Sequence, residues 1–381
     1  MLKQFLDAKP LYYDEIDYTR MPRVYEKIKE HIKIPKIIHL IGTNGKGTTG
    51  RFLASALYSL SYKTGHYTSP HILDFNERIW INGANVTDDV LEKAHEMLLS
   101  ILTQKDADNL SYFEYTTLLA IIIFQDLDYV VLEAGLGGEH DATAVFKKEL
   151  TLVTPIDLDH QSFLGNSIKE IATTKLNAIQ NRAIIAKQIH KDVYTVANSL
   201  AEKKSIDVFL VESFLGKKDL ENIEKISEDL SLAPYLVENL RLSIAALKIL
   251  GREYKVENFK DAKLFGRLTP LAENILVDVG HNPLAAKSIV NALDGEKYIV
   301  VYNSYKDKDY KEILRILKPI IAHVEVLEID DNRIENKQLL ENALKDLEIE
   351  FKYFSQIQKL QKYLVFGSFS VAEKFLRVYN D

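Results

Sequence analysis

The chain has 381 residues, 46% hydrophobic and 27% charged, proportions that fill globular cores and argue against extended disorder or a single small binding module. Its 48 lysines and arginines face 55 acids, a net charge of −7. No bulk basic charge therefore recommends nucleic acid or an acidic membrane as partner, and an anionic ligand needs a local site. Cysteine is absent, which excludes a disulfide scaffold, a thiolate zinc site and a cysteine nucleophile together.

The start, MLKQFLDAKP, mixes acid and base without an apolar core of signal-peptide length, and the longest apolar run, Leu118 to Phe124, is far too short to span a bilayer. The expectation is a cytoplasmic protein with no membrane partner. Residues 36–41 (KIIHLI) read as a strand, and Phe52, Leu53, Ala56, Leu57 and Leu60 recur at helical spacing. Between them lies the turn Gly42-Thr43-Asn44-Gly45-Lys46-Gly47-Thr48-Thr49. Glycines let backbone N–H groups close around phosphate oxygens, a helix N-terminus adds partial positive charge, and a lysine can reach the β- and γ-phosphates. The strict P-loop pattern fails twice: Leu40 stands where the first glycine belongs, and Gly47 where a metal-binding hydroxyl usually follows the lysine. The competing reading is a turn that only feeds a strand into a helix.

Further along, Tyr67-Thr68-Ser69-Pro70-His71 could offer a hydroxyl at a strand end or be merely a turn. Asp128 to Glu133 is an apolar strand ending in a carboxylate, followed by Gly135, Gly137 and Gly138. Ligands gather at the carboxyl ends of strands in open α/β sheets, so Glu133 could hold Mg²⁺; an ordinary solvated acid is the alternative. Asp157-Leu158-Asp159-His160 follows a strand at 152–154. Imidazole is a poor match for a hard cation, so a hydrogen-bonded turn histidine is an equal reading there. In the helical stretch 168–179, Lys175 shares a stripe with Ile168, Ile171, Ala172 and Ile179. A lysine on that face snorkels outward, pairs with an acid, or loses its charge and reacts, for instance by adding CO₂ to form a carbamate. Strands at 183–186 and 208–211 and a helix at 235–250 complete this part. After Phe265-Gly266-Arg267-Leu268-Thr269-Pro270, where periodicity lapses, the alternation resumes with strands at 275–279, 298–301, 324–329 and 363–366 and a helix at 310–317. Strand and helix in alternation predict an α/β protein with parallel sheets in two domains.

The turn Gly42 to Gly47, Tyr67 to His71, Phe75-Asn76-Glu77-Arg78-Ile79, Phe113-Glu114, Glu133 to Gly138, Asp141-Ala142-Thr143, Asp159-His160 and Asp278-Val279-Gly280-His281-Asn282-Pro283 resemble, in order, the motifs of the folylpolyglutamate and dihydrofolate synthases, the folate branch of the Mur ligase superfamily. The resemblance implies a P-loop N-terminal Mur-ligase-like domain at 1–265, a linker at 266–270 and a smaller Rossmann-like glutamate ligase domain at 271–381. It implies ATP and two Mg²⁺ ions as cofactors. Thr43, Asn44, Gly45, Lys46, Gly47 and Thr48 would surround the phosphates, Asn239 would lie on the adenine side, and Arg267 and Asp278 would be further nucleotide contacts. Ser69 and Glu133 would hold one ion, and His160 with Glu133 its neighbour. Lys175 matches the family's carbamylated lysine, His281 would act near the incoming glutamate or the phosphate, and Phe113, Glu114 and Asp141 would meet the acceptor substrate.

Two replacements touch substrate contacts, and the acceptor-side segment Tyr18 to Arg23 matches the family only loosely. Glu139-His140 stands where the family usually has Arg-Leu, and Tyr235-Leu236 replaces the usual His-Gln before Asn239. The implied reaction is ATP-dependent amide formation through an acyl phosphate, joining L-glutamate to dihydropteroate or a reduced folate. A peptidoglycan Mur ligase would carry a sugar-nucleotide domain ahead of the turn, where 41 residues stand. A nucleotide-hydrolysing switch protein would cleave ATP or GTP without glutamate. A monomer is expected.

Overall fold

The computed structural model describes residues 1–9, 17–293 and 295–380. They fall into two units: Met1–Ser231 with Glu238–Lys263, and Leu232–Val237 with Leu264–Asp381. Among the described residues no helix is long and apolar enough to cross a membrane.

The first unit is built on eight strands: β1 (Lys36–Ile41), β2 (Thr64–Tyr67), β3 (Ile79–Ile81), β4 (Ala84–Asn85), β5 (Tyr129–Glu133), β6 (Leu150–Val153), β7 (Arg182–Ile185) and β8 (Asp207–Leu210), in the order β4-β3-β2-β5-β1-β6-β7-β8. All neighbours from β2 to β8 run parallel, while β3 and β4 join antiparallel. Helices cover both faces of such a sheet, so its central strands are apolar throughout rather than alternating. In β1 every residue after Lys36 is buried, and in β5 all five are. Register then decides what meets at the carboxyl ends. Leu40 pairs with Glu133, Ile41 with Val153, and Tyr67 with Leu132. Thr68, Glu133, Gly42 and Thr154 therefore leave the sheet side by side.

The second unit has six strands: β9 (Thr269–Ala272), β10 (Ile275–Val277), β11 (Tyr298–Tyr302), β12 (Ile321–Val326), β13 (Phe351–Tyr353) and β14 (Tyr363–Phe366), ordered β13-β12-β11-β14-β10-β9. Only β9 is antiparallel to its neighbour. The stretch 266–270, read from sequence as a join, runs directly into β9.

Two parallel-dominated α/β sheets agree with the sequence reading, and the differences have local causes. β2 reads TGHY and carries no apolar run, yet it is buried because β5 and β3 flank it. β12 starts at Ile321, earlier than the strand read at 324–329, because His323 interrupts the apolar pattern there. The helix Tyr112–Phe124 is apolar nearly all round and starts at a capping box: Ser111 Oγ accepts from Glu114 N and the Glu114 carboxylate accepts from Ser111 N. Caps of this kind contribute about 1 kcal/mol. Ser111→Ala is expected to lower stability by about that amount, read as an earlier urea midpoint.

Candidate active site

The turn after β1 is held by its neighbours on both sides. Thr43 N donates to Pro155 O at 2.8 Å, and Thr43 Oγ1 both donates to Asp157 O and accepts from Asp157 N, each at 3.0 Å. Gly42 has φ +139° and Gly45 φ +92°, values that L side chains rarely adopt. A Cβ on Gly42 would lie 2.0 Å from Thr154 Oγ1, and one on Gly45 2.4 Å from Asn239 Oδ1. Both positions need glycine for space as well as for conformation. Gly45 precedes the helix Lys46–Ser59 in the left-handed conformation, which presents that helix's N-terminal amides, a natural anion seat. Thr48 supplies a hydroxyl one residue beyond Gly47, buried and without a hydrogen-bond partner among the described residues. Buried hydroxyls are normally paired, so a group bound in this turn would complete it.

Lys46 Nζ folds over the turn, 3.3 Å from Gly42 O, 3.4 Å from Thr43 O and 3.8 Å from Glu133 Oε1. Glu133 is buried, and its Oε2 accepts from the Thr68 hydroxyl and, at 3.3 Å, from Ser69 N. Ser69 thus meets Glu133 through its backbone. Thr68, read in the Tyr67–His71 segment but not singled out as a ligand, supplies the hydroxyl; it follows Tyr67, which pairs with Leu132 in the ladder. A carboxylate with adjacent hydroxyls is an all-oxygen donor set of the kind Mg²⁺ takes, usually with substrate phosphates and water completing the octahedron. No ready-made cage of three acids or histidines exists among the described residues, so the set fits an ion shared with phosphate better than one caged by protein.

Lys175 lies under this turn. It is buried, and its Nζ donates to Gly42 O at 3.0 Å. Burial, reinforced by the nearby Lys46 charge, lowers its pKa to about 7, against the opposing pull of Asp159 and Asp141. A large share of neutral amine near pH 7 follows, which resolves the sequence alternatives in favour of a buried side chain over a snorkelling one. Glu139, one of the two departures, closes the same corner: its N–H donates to Thr174 O at 3.0 Å and its carboxylate accepts from Asn177 Nδ2 at 2.8 Å.

The remaining sequence candidates of the first unit spread around this centre. His160 sits after β6 in a left-handed conformation (φ +51°), with its N–H donating to Asp159 Oδ1 at 2.9 Å and Nε2 3.9 Å from Asp159 Oδ2. Asp157 is paired with His190 at 2.9 Å, a partner the sequence did not reveal. Phe113 lies against Gly135, where a Cβ would come within 2.6 Å of the ring. Asp141 is buried: Oδ1 accepts from Thr143 N (2.9 Å) and Thr143 Oγ1 (2.5 Å), and Oδ2 from Leu136 N (2.8 Å). Burial raises its pKa against these hydrogen bonds. The second departure residue, His140, packs against Tyr18 with ring centroids 4.5 Å apart and the planes tilted by 38°.

In the second unit, Asp278 follows β10. Its Oδ2 accepts from Tyr235 Oη and Leu268 N, both at 2.8 Å, and its Oδ1 from Gly280 N at 2.7 Å. Arg267 donates to Gly266 O at 3.0 Å and lies over the Phe369 ring at 5.4 Å. His281 Nδ1 is 3.1 Å from Val279 O; a carbonyl partner places the proton on that nitrogen. Tyr235, at the other family departure, thus serves as a donor to Asp278.

No protein-family model matches the chain. Curated relatives do. A dihydrofolate synthase/folylpolyglutamate synthase of Buchnera aphidicola subsp. Schizaphis graminum is 30% identical over 88% of this chain and 86% of its own length. The Escherichia coli K12 protein of the same description is 31% identical over 75% of this chain and 71% of its own. Among solved structures, Helicobacter pylori folylpolyglutamate synthetase aligns with a TM-score of 0.80 at 39% identity, covering 100% of this chain and 98% of that one.

The Lys175 amine titrates near 7 in the folded chain and near 10.5 unfolded. Between those values the unfolded chain holds the extra proton, so the cost of burying Lys175 is full below pH 7 and lifts as pH rises towards 10.5. In carbonate-free buffer, Lys175→Met should therefore raise the thermal midpoint markedly more at pH 6 than at pH 10.

Proposed function

The chain belongs to the dihydrofolate synthase/folylpolyglutamate synthase family, and on that premise we propose that it is an ATP-dependent ligase joining L-glutamate to dihydropteroate, to the γ-carboxyl of a reduced folate, or to both. The observation that carries this reading is the convergence of Lys46, Glu133 and Lys175 on the Gly42–Gly45 turn. A carboxylate oxygen of the acceptor attacks the γ-phosphorus of ATP; the bond to the β,γ-bridging oxygen breaks, ADP leaves, and an acyl phosphate remains. The amine of glutamate then adds to the acyl carbon, the tetrahedral intermediate expels inorganic phosphate, and the amine loses its proton.

The protein's part is positioning and charge. The amides of Gly45, Gly47 and Thr48 cradle phosphate oxygens, and Lys46 swings from the turn's carbonyls onto the transferring group. Glu133 with Thr68 and Ser69 would hold Mg²⁺, and His160 would serve a second ion; the metal would supply Lewis-acid neutralisation of phosphate charge. Asn239, packed against Gly45, would lie on the adenine side. The unit Met1–Ser231 with Glu238–Lys263 would be the nucleotide domain, and Leu232–Val237 with Leu264–Asp381, which carries His281, the glutamate ligase domain. Phe113, Glu114 and Asp141 shape the acceptor end. Because burial lowers the Lys175 pKa to about 7, a share of its amine is neutral near neutrality and can add CO₂, forming a carbamate N–C bond and releasing a proton; the cation becomes a carboxylate beside the turn.

Lys46→Ala and Glu133→Ala are each expected to abolish glutamate-dependent ADP release while circular dichroism stays unchanged; turnover retained in both would remove the site. ADP release that ignores glutamate would point to the switch protein instead. Offering dihydropteroate and tetrahydrofolate separately identifies the acceptor. For the carbamate, Lys175→Ala should lose activity and regain part of it with short carboxylic acids, and mass spectrometry should show a bicarbonate-dependent, acid-labile adduct on Lys175.

A further inference from the structure

The loop between β7 and the helix Lys191–Lys204 reaches across to the chain that leaves β6. Gln188 is buried there, its Oε1 accepting from Ile156 N at 2.9 Å and its Nε2 donating to Ala186 O at 2.9 Å and Thr154 O at 3.3 Å. Two residues on, His190 Nε2 donates to Asp157 Oδ1 at 2.9 Å, and the same oxygen accepts from Leu158 N at 2.8 Å. A carboxylate partner places a proton on that ring nitrogen. His190 also stands at the N-cap of the helix Lys191–Lys204, where a side chain usually satisfies one of the first amides. Its side chain makes no such cap bond among the described residues and is given to Asp157 instead.

Asp157 is the residue whose backbone clamps the glycine-rich turn. Its N–H donates to Thr43 Oγ1 and its C=O accepts from the same hydroxyl, each at 3.0 Å. Thr43 N donates to Pro155 O at 2.8 Å, and Asn44 N to that oxygen at 3.4 Å. The first two amides after Gly42 and the Thr43 hydroxyl are therefore spent on residues 155–157, which leaves the amides from Gly45 onward to meet an anion. The His190 and Asp157 side chains are 33% and 19% exposed, and a pair so open to water adds little to global stability. What it fixes is the place of one loop, and through Thr43 the place of the turn; small displacements of a positioning group are costly to binding and reaction.

We propose that His190 is a positioning residue for the nucleotide phosphates, acting through Asp157 and Thr43 to set the turn Gly42–Thr48. The inference rests on the nucleotide-binding part of the ligase reading above and deepens it. His190 touches no reacting atom, and Thr43 serves as the latch of the turn rather than as a phosphate ligand.

The full-length protein is titrated with the fluorescent nucleotide N-methylanthraniloyl-ADP, in Mg²⁺ and in EDTA, and assayed for glutamate-dependent ADP release with dihydropteroate or tetrahydrofolate as acceptor. His190→Ala should raise the nucleotide Kd and the KM for ATP about fivefold, while kcat and the KM for glutamate stay within about twofold. His190→Gln, which returns an N–H donor of similar reach, should recover part of the loss. Thr43→Val removes the hydroxyl that Asp157 clamps and should weaken binding at least as much. Adding His190→Ala to it should then cost nothing further, since both substitutions act through one contact. The shift should persist in EDTA, because the pair acts on the turn and not on an ion near His160. A nucleotide Kd unchanged in His190→Ala, or a shift confined to Mg²⁺ buffer, would overturn the proposal. So would a fall in the thermal midpoint with every KM rising together and no recovery in His190→Gln, the mark of a purely structural pair. Should the wild-type protein bind the nucleotide but release no ADP in response to glutamate, the ligase reading alone fails, and the Kd values of the variants still decide the role of His190.

Discussion

A lysine amine sealed beneath a glycine-rich turn sets the terms for everything around it. Lys175 reaches the Gly42 carbonyl from a buried helix position, and Lys46 occupies the other side of the same turn. Burial and the Lys46 charge both disfavour a protonated Lys175. The arrangement relieves itself in two ways. Lys175 loses its proton near neutrality, or negative charge enters the turn. Among the described residues, Glu133 is the one carboxylate within 4 Å of Lys46, an arrangement that favours an anion at the turn.

The sheet is what makes this crowding reproducible. Parallel strands deliver their carboxyl ends to one edge, and the observed pairings fix which residues emerge together: Thr68 beside Glu133, Gly42 beside Thr154. Shifting β5 by one residue would turn Glu133 to the other face and separate it from both Lys46 and Thr68. The helix bearing Lys175 is tied down independently, through Glu139 N to Thr174 O and Asn177 to the Glu139 carboxylate. An acid at 139 therefore has a local role in anchoring that helix, which accounts physically for its place in this chain.

Much of this was legible in the sequence because it is encoded locally. The apolar run 36–41, the turn after it and the helical spacing of Phe52 to Leu60 lie within one short window, and the stripe carrying Lys175 lies within three helical turns. The pairings that complete the site are not local. Arg20 meets Glu114 across 94 positions of sequence, Thr68 meets Glu133 across 65, and Lys175 meets Gly42 across 133. Periodicity reports which face of an element is buried and says nothing of which distant element covers it. β2 was missed for the same reason: TGHY is a strand by virtue of its neighbours, not its own residues. Tyr235 could be seen as a departure from the family pattern, but its hydroxyl partner, Asp278, lies 43 residues on.

Each unit ends a central strand with a buried acid, and the two acids are not equivalent. Asp278 accepts hydrogen bonds from Tyr235, Leu268 and Gly280, so both of its oxygens are engaged by the protein that surrounds it. Glu133 places its bonds on Oε2 alone, from Thr68 and Ser69, while Oε1 faces the Lys46 ammonium at 3.8 Å, beyond hydrogen-bond distance. A carboxylate has lone pairs on both oxygens and can serve two partners at once. An acid saturated by its own fold is suited to holding a loop; an acid anchored by one oxygen and open at the other is suited to a ligand. By that measure the Asp278 network organises the turn that carries His281, whereas Glu133 Oε1, beside the glycine-rich turn, has no hydrogen bond among the described residues. The difference arises from the chain that flanks each strand end: tyrosine and two backbone amides close around Asp278, and a single Thr-Ser pair leaves half of Glu133 available.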